Sequence, residues 1–136
     1  MDTGKSALGL DGNVAAALGY PIGIIALICL IMEKENRFVK FHALQSILLH
    51  VTWIVVAIVL MFLFFILAIF GVAVSAAGGS AGSAVGGLFS MLIGLIWMVV
   101  IAAYIGGLIY AAVKAYGGNK FMLPVIGAMA EKWTGN

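Results

Sequence analysis

No charged residue lies between Lys40 and Lys114, and this long neutral stretch restricts the possible folds of the chain more than any other feature. Hydrophobic residues make up 65% of the 136 residues and charged residues 9%, against about 45–50% and about 25% in soluble domains. A helix in water needs a polar face, and this stretch provides none. We therefore expect an all-α integral membrane protein.

The apolar residues divide into three segments that are long enough to cross a bilayer. A hydrocarbon core about 30 Å thick needs about 20 apolar helical residues. Residues 13–32 meet this length once, and glycines and serines at 75–87 break the neutral stretch into two further segments. The predicted organisation is one membrane domain with a polar tail (1–12), three transmembrane helices (13–32, 41–74, 88–115), a basic loop (33–40), a Gly/Ser loop (75–87) and a C-terminal segment (116–136).

The C-terminal segment is expected to contain a short helix on the membrane surface. Pro124 suits a first helical position, and the apolar residues that follow it fall on one side of a helix. Trp133 would then lie at headgroup depth, where tryptophan is enriched. In the first predicted transmembrane helix, Pro21 removes a hydrogen bond and should cause a bend.

Basic residues indicate the orientation of the chain. They lie beside the first loop and the C-terminal segment, which the positive-inside rule assigns to the cytoplasm. We expect the C-terminus to be cytoplasmic and the N-terminus to lie outside, in a bacterial inner membrane. The basic residues concerned are Lys34, Arg37, Lys40, Lys114, Lys120 and Lys132.

Several short motifs together resemble a known family. They are Gly9-Leu10-Asp11 followed by Asn13, the run from Glu33 to Ser46 containing His-Ala-Leu-Gln-Ser, and Lys114 to Asn119 leading into Leu-Pro-Val-Ile-Gly127. The chain resembles a family of small bacterial membrane proteins of unknown function, distantly similar to the channel subunit of the chloroplast inner-envelope import apparatus. That resemblance implies a membrane location and suggests a role in protein translocation.

A polar cluster lies where the second predicted transmembrane helix begins. His42 and Gln45 are three residues apart, on one helical face beside Arg37 and Lys40. Such a cluster could bind a lipid phosphate, a carboxylate of a partner protein or a polar break in the backbone. The alternative is that it marks the entry of the helix into the membrane. Together with Trp133, these residues form the predicted interface with a partner or with lipid headgroups.

Small residues mark possible helix contacts. Gly19 and Gly23 have G-x-x-x-G spacing, and Ala103, Gly107 and Ala111 repeat every four residues. Small side chains let helix backbones approach closely in membranes. The predicted packing residues are Gly19, Gly23, Gly94, Ala103, Gly107 and Ala111.

The sequence offers few groups for chemistry. His50 lies deeper in the apolar segment and is a weak candidate ligand for a haem or chlorophyll metal, since no second ligand or attachment motif accompanies it. Gly4-Lys5-Ser6 lacks the upstream glycine of a phosphate-binding loop. Cys29 is the single cysteine and is expected to pack in the interior. We predict no enzyme activity, no metal site and no cofactor.

Three functions are compatible with these features. The first is a non-catalytic accessory subunit that packs against a larger membrane complex. The second is a translocation or channel component that acts as an oligomer, because a neutral helix trio cannot line a hydrated pore alone. The third is a pigment- or haem-binding subunit that uses His50. The expected partners are other membrane subunits, copies of the chain itself and lipids, but not nucleic acid.

Overall fold

Helices account for most of the ordered backbone in the computed structural model, which describes residues 3–135. Residues 1–2 of the predicted tail and residue 136 of the predicted C-terminal segment lie outside this range. The expected all-α class is confirmed within it. The helices are α1 (Gly12–Gly19), α2 (Gly23–Met32), α3 (Arg37–Tyr116) and α4 (Ile126–Thr134).

Residues 13–32, expected to be one transmembrane helix, belong to two short helices. Pro21 lies between them and has no backbone N–H with which to continue α1. The chain reverses here, and a Cβ on Gly19 would lie 3.3 Å from the Cβ of Ala26 in α2. Helices of 8 and 10 residues are about 12 and about 15 Å long, shorter than a hydrocarbon core of about 30 Å. A first transmembrane pass is therefore not confirmed.

A single residue interrupts the long helix α3. Gly79 has φ 56° and ψ −134°, a conformation that glycine adopts without a steric penalty. It divides α3 into a first arm (residues 37–78) and a second arm (residues 80–116). The predicted loop at 75–87 is helical on both sides of Gly79. In the described residues, α3 is the one helix long and apolar enough to cross a membrane.

Residues 53–104 form a compact unit that contains the parts of both arms nearest the break. Aromatic contacts show that the arms run antiparallel. Trp53 stacks on Tyr104 with ring centroids 4.5 Å apart, and Phe64 lies 5.6 Å from Trp97. Pairing an early residue of one arm with a late residue of the other is the signature of a helical hairpin. We call this unit the hairpin.

The turn of the hairpin depends on small residues. A Cβ on Gly82 would lie 2.4 Å from the carbonyl oxygen of Val74, and a Cβ on Gly86 would lie 2.7 Å from the Oγ of Ser75. Both distances are below van der Waals contact, so a side chain at either glycine would push the arms apart. The glycine content of this region therefore serves close packing as well as the reversal itself.

The second compact unit, which we call the terminal unit, contains the residues before position 53 and after position 104. Its interior consists of small and aromatic side chains in three clusters. The first centres on Cys29, which is 2% exposed as expected of a packing residue. The second joins α1 to the second arm, and the third joins the first arm to α4. Their buried members are Ala15, Ala26, Cys29, Val39 and Ala43; Ala16, Tyr20, Ala111 and Ala115; and Phe41, Leu44 and Ala130.

The C-terminal helix α4 packs through its small residues. Gly127 and Ala130 are buried, and a Cβ on Gly127 would lie 2.8 Å from the Oε1 of Gln45. The helix begins at Ile126, after Val125 with φ 64°, rather than at Pro124 as expected. Trp133 is 60% exposed on the other side. A helix is present where one was predicted, whereas its position on the membrane surface stays a prediction.

Candidate functional site

The most distinctive feature of the terminal unit is a buried polar cluster, which we call the polar core. It contains Tyr20, which follows α1, and His42, Gln45 and Ser46 from the first arm. All four residues are 0% exposed. Buried polar groups cost free energy unless they are hydrogen-bonded, so the partners of each group explain why these residues occupy the interior.

Ser46 supports the chain reversal between α1 and α2. The last carbonyl groups of a helix have no partner within the helix. The hydroxyl of Ser46 donates a hydrogen bond of 2.7 Å to the carbonyl oxygen of Gly19, which is the last residue of α1. The contact is fully buried, so water is not available as a substitute. Ser46 therefore satisfies a helix end inside the protein.

Gln45 connects three segments of the chain. Its Nε2 donates to the Tyr20 hydroxyl at 2.6 Å and to the carbonyl oxygen of Phe121 at 3.0 Å. Its Oε1 accepts a bond of 2.9 Å from the backbone N–H of Leu123. Both amide protons and the amide oxygen are thus used. This side chain therefore links the segment that leads into α4 to the first arm.

His42 completes the polar core. Because the Tyr20 hydroxyl accepts from Gln45, its own proton can be donated to the Nδ1 of His42, which lies 2.9 Å away. This arrangement assigns the imidazole proton to Nε2, which makes no hydrogen bond of standard geometry, although the ring interacts with the backbone of Asn119. The ring is also packed edge-on against aromatic neighbours, with centroids 4.6 Å from Phe38.

A second set of contacts ties the N-terminal segment to the loop before α3. The carboxylate of Glu33, 5% exposed, accepts bonds from the backbone N–H groups of Ala7 at 2.8 Å and Asn36 at 3.1 Å. The Nδ2 of Asn36 donates to the carbonyl oxygens of Thr3 and Lys5 at 2.7 and 3.2 Å. The residues before α1 and those after α2 therefore lie together.

A third contact closes the terminal unit at the end of α3. The Nδ2 of Asn13 donates a bond of 2.8 Å to the carbonyl oxygen of Tyr116. Gly118 follows with φ 72°, the left-handed conformation typical of a helix C-terminus. The motifs singled out in the sequence thus contact one another and hold the terminal unit together.

The residues predicted to form an interface divide between surface and interior. Arg37 and Trp133 are exposed and Lys40 is half-buried. His42 and Gln45 are 0% exposed, which corrects the expectation that they lie at a surface open to headgroups or a partner. A lipid phosphate, a partner's carboxylate and a polar break in the backbone were considered as their ligands. The structure contains contacts of the third kind, between Gln45 and the backbone of Phe121 and Leu123.

The predicted packing residues also divide. Gly19 contacts α2, and a Cβ on Gly23 would lie 3.6 Å from the ring of His50. Ala111 is 0% exposed in the cluster with Ala16 and Tyr20. Gly94 and Gly107 have no atom within 4 Å of an added Cβ, and Ala103 is exposed. The described chain itself therefore does not fill the face at 103–107.

The remaining candidates for chemistry are placed as follows. The Nδ1 of His50 lies 2.8 Å from the carbonyl oxygen of Ser46. Within residues 3–135, no group of three or more His, Cys, Asp or Glu side chains could hold a metal ion. The geometry of the polar core serves the connection of chain segments.

Sequence reasoning missed the contacts of five residues in these networks, namely Tyr20, Ser46, Glu33, Asn36, and Asn13, which bonds to Tyr116. Tyr20 offered a signal, because a hydroxyl beside a proline inside an apolar segment needs a partner. Glu33 and Asn36 were treated as members of a charged loop. Asn36 did offer a local signal, because its side chain accepts from the N–H of Val39 as the N-cap of α3. The contacts of Glu33 with Ala7 and of Asn36 with Thr3 and Lys5 join distant residues and carry no trace in the local sequence.

Comparisons with known proteins identify the family. The profile of the magnetosome magnetite crystal formation protein family (MamF/MmsF) matches residues 7–130. A UPF0132 membrane protein of Methanocaldococcus jannaschii is 36% identical over 132 residues, covering 96% of each chain. One from Archaeoglobus fulgidus is 36% identical over 124 residues, covering 90% of this chain and 95% of the relative. A second from M. jannaschii is 32% identical over 128 residues, covering 93% and 73%. No solved structure matches.

These matches correct the resemblance drawn from the sequence motifs. The matching family is that of the magnetosome proteins, and none of the comparisons supports similarity to the chloroplast import channel. The relatives described are archaeal, whereas a bacterial family was expected. Their names confirm the membrane location that the composition predicts.

Proposed function

We propose, from the premise that this chain belongs to the magnetosome magnetite crystal formation protein family, that it is a non-catalytic membrane subunit. In this proposal the chain assembles with other membrane proteins, or with copies of itself, through the hairpin.

The observation that carries the proposal is a groove between the arms of the hairpin. It has a volume of about 720 Å³ and is lined mainly by apolar and small side chains. Lipid tails are as apolar as leucine, so helices in a bilayer associate through close packing and not through the exclusion of water. Small residues that open a groove favour that packing. The lining includes Ala68, Gly71, Ser75, Ala76, Gly86 and Ser90.

The hairpin also supports a membrane arrangement with two crossings. The first arm has no charge from Phe41 to its end, and the second has none before Lys114. The uncharged part of each arm is therefore longer than a bilayer crossing, which needs about 20 residues. Basic residues lie near the open ends of both arms, and the positive-inside rule assigns these ends to the cytoplasm. The turn at Gly79 then lies on the opposite side.

Filling the groove tests the proposal. Gly71 lines it and has no atom within 4 Å of an added Cβ, so Gly71→Leu adds apolar bulk at the groove from a position where the first side-chain carbon meets no other atom. Ala73 is exposed on the same arm but does not line the groove, so Ala73→Leu is a matched control. Tagged variants are extracted in mild detergent and analysed on native gels with mass spectrometry of the bands.

The parent chain and Ala73→Leu are expected to migrate in the same complex, and Gly71→Leu as a single chain with its helix content preserved. Mass spectrometry then separates a second copy from another membrane protein as the occupant. A complex that persists unchanged with Gly71→Leu contradicts assembly through this groove.

A further inference from the structure

The helices α1 and α2 form a pair whose open end and turn differ sharply in polarity. The open end contains every charged residue described before α3 begins, because none lies between Asp11 and Glu33. The contacts of Glu33 with Ala7 and of Asn36 with Thr3 bring the segment before α1 and the segment after α2 together here. The turn at Pro21 contains no charge at all.

The outer face of α2 is apolar and uncovered. Ile24 is 66% exposed, Leu27 47% and Ile31 71%. An uncovered apolar face of this size on a membrane protein is suited to acyl chains. With 10 residues, α2 extends about 15 Å, which is half of a hydrocarbon core of about 30 Å.

The turn between the helices has hydrogen bonds that do not depend on water. The backbone N–H of Tyr20 donates to Ala17 at 3.2 Å, and that of Ile22 donates to Leu18 at 3.2 Å. The carbonyl oxygen of Gly19 accepts from Ser46, as described above. Irregular backbone at membrane depth is tolerated where its polar groups are satisfied by the protein. This turn meets that condition at these atoms.

We propose that α1 and α2 form a re-entrant element, which enters one leaflet from the side of the open ends and returns to the same side. The occupant of the outer face of α2 is the acyl-chain layer of that leaflet. Two crossings by the arms of α3 then place the N-terminus and the C-terminus on the same side. The N-terminus was expected on the outside, and this inference moves it to the cytoplasmic side.

Labelling of single cysteines tests the sidedness. In a Cys29→Ser background, cysteine replaces Leu8, Glu35, Ser80 or Asn119, and a membrane-impermeant maleimide is applied to sealed vesicles of each orientation. We expect Leu8, Glu35 and Asn119 to label from one side and Ser80 from the other. Labelling of Leu8 from the side of Ser80 overturns the proposal, because the α1–α2 segment would then cross the bilayer.

Depth measurements separate insertion from a position on the surface. Nitroxide labels at positions 24, 28 and 31 are compared by their collision rates with oxygen and with a water-soluble nickel chelate. We expect oxygen contact to rise steadily from position 31 to position 24. Equal depth at all three positions overturns the proposal in favour of a surface helix. Labelling of Ser80 from the side of Asn119 would instead count against the crossing of the hairpin in the proposed function.

Discussion

At the scale of single residues, a few buried polar side chains determine how the terminal unit is connected. Gln45 and Ser46 are adjacent in sequence, yet their partners lie in two different segments, before α2 and before α4. A buried polar group that loses its partner costs about 1–3 kcal/mol, which is more than the net contribution of an average hydrogen bond. Substitutions here should therefore be more harmful than the number of contacts suggests.

Ser46→Ala should destabilise the terminal unit by about 1–3 kcal/mol, because the carbonyl oxygen of Gly19 loses its buried donor. Ser83→Ala is the matched control, since its hydroxyl donates to the carbonyl oxygen of Gly79 at an exposed site. Chemical denaturation in detergent gives the free energy of unfolding. The labelling rate of Cys29, which is 2% exposed, reports opening of the unit and should rise with Ser46→Ala only. Equal effects of the two substitutions would contradict the role assigned to Ser46.

At the scale of helices and turns, two reversals of the chain distinguish this fold from a simple series of membrane passes. One is at Pro21, beside which the small residues Gly19 and Ala26 are in contact. The other is at Gly79. The second reversal leaves helical residues directly on both sides, so the arms remain close from the turn onward. The tight approach at Gly82 is the consequence.

Gly82→Ala should disrupt the turn of the hairpin, because the added Cβ would lie 2.4 Å from the carbonyl oxygen of Val74. Overpacking of this kind costs about 1–3 kcal/mol. Gly78→Ala is the control, as it has no atom within 4 Å of an added Cβ. Near-ultraviolet circular dichroism of the stacked Trp53 and Tyr104, followed during thermal unfolding in detergent, measures the effect. A melting temperature that falls equally for both variants would show that the close approach is unimportant.

The sequence predicted the helical class and the neutral arms, because both follow from composition. It did not predict the reversal at Pro21, because an apolar run of this length can form either one transmembrane helix or two short helices. The contact that stabilises the two short helices comes from Ser46, which lies 27 positions from Gly19 in the sequence. For the same reason His42 and Gln45 could be singled out as a cluster while Tyr20, Phe121 and Leu123 could not be named as its partners.

At the scale of the whole molecule, the chain consists of a neutral hairpin and a terminal unit in which both ends of the described chain take part. The residues after α3 are structural members of that unit, because the backbone of Phe121 and Leu123 contacts Gln45. An ion pair of 2.6 Å between Lys120 and Glu131 adds a link between this segment and α4. Loss of the segment should therefore affect more than membrane anchoring.

Truncation after Lys120 should lower the thermal stability of the terminal unit and raise the labelling rate of Cys29, because Gln45 loses two backbone partners in the interior. Trp133→Ala removes an exposed ring instead and should leave both values near those of the parent chain. Differential scanning fluorimetry and maleimide kinetics measure the two quantities. If the truncated chain behaves like the parent chain, the C-terminal segment does not stabilise the terminal unit and serves only as an anchor.

The neutral turn at Gly79 has a consequence for the way the protein reaches its membrane. Carrying one charged side chain to the centre of a bilayer costs at least about 2.5–3.5 kcal/mol, and this turn carries none. Because only one residue interrupts the helical backbone, the peptide groups on both sides can be hydrogen-bonded before they leave water. If the arms cross the bilayer as proposed, they enter the lipid together with the turn leading, without the transfer of a charged loop.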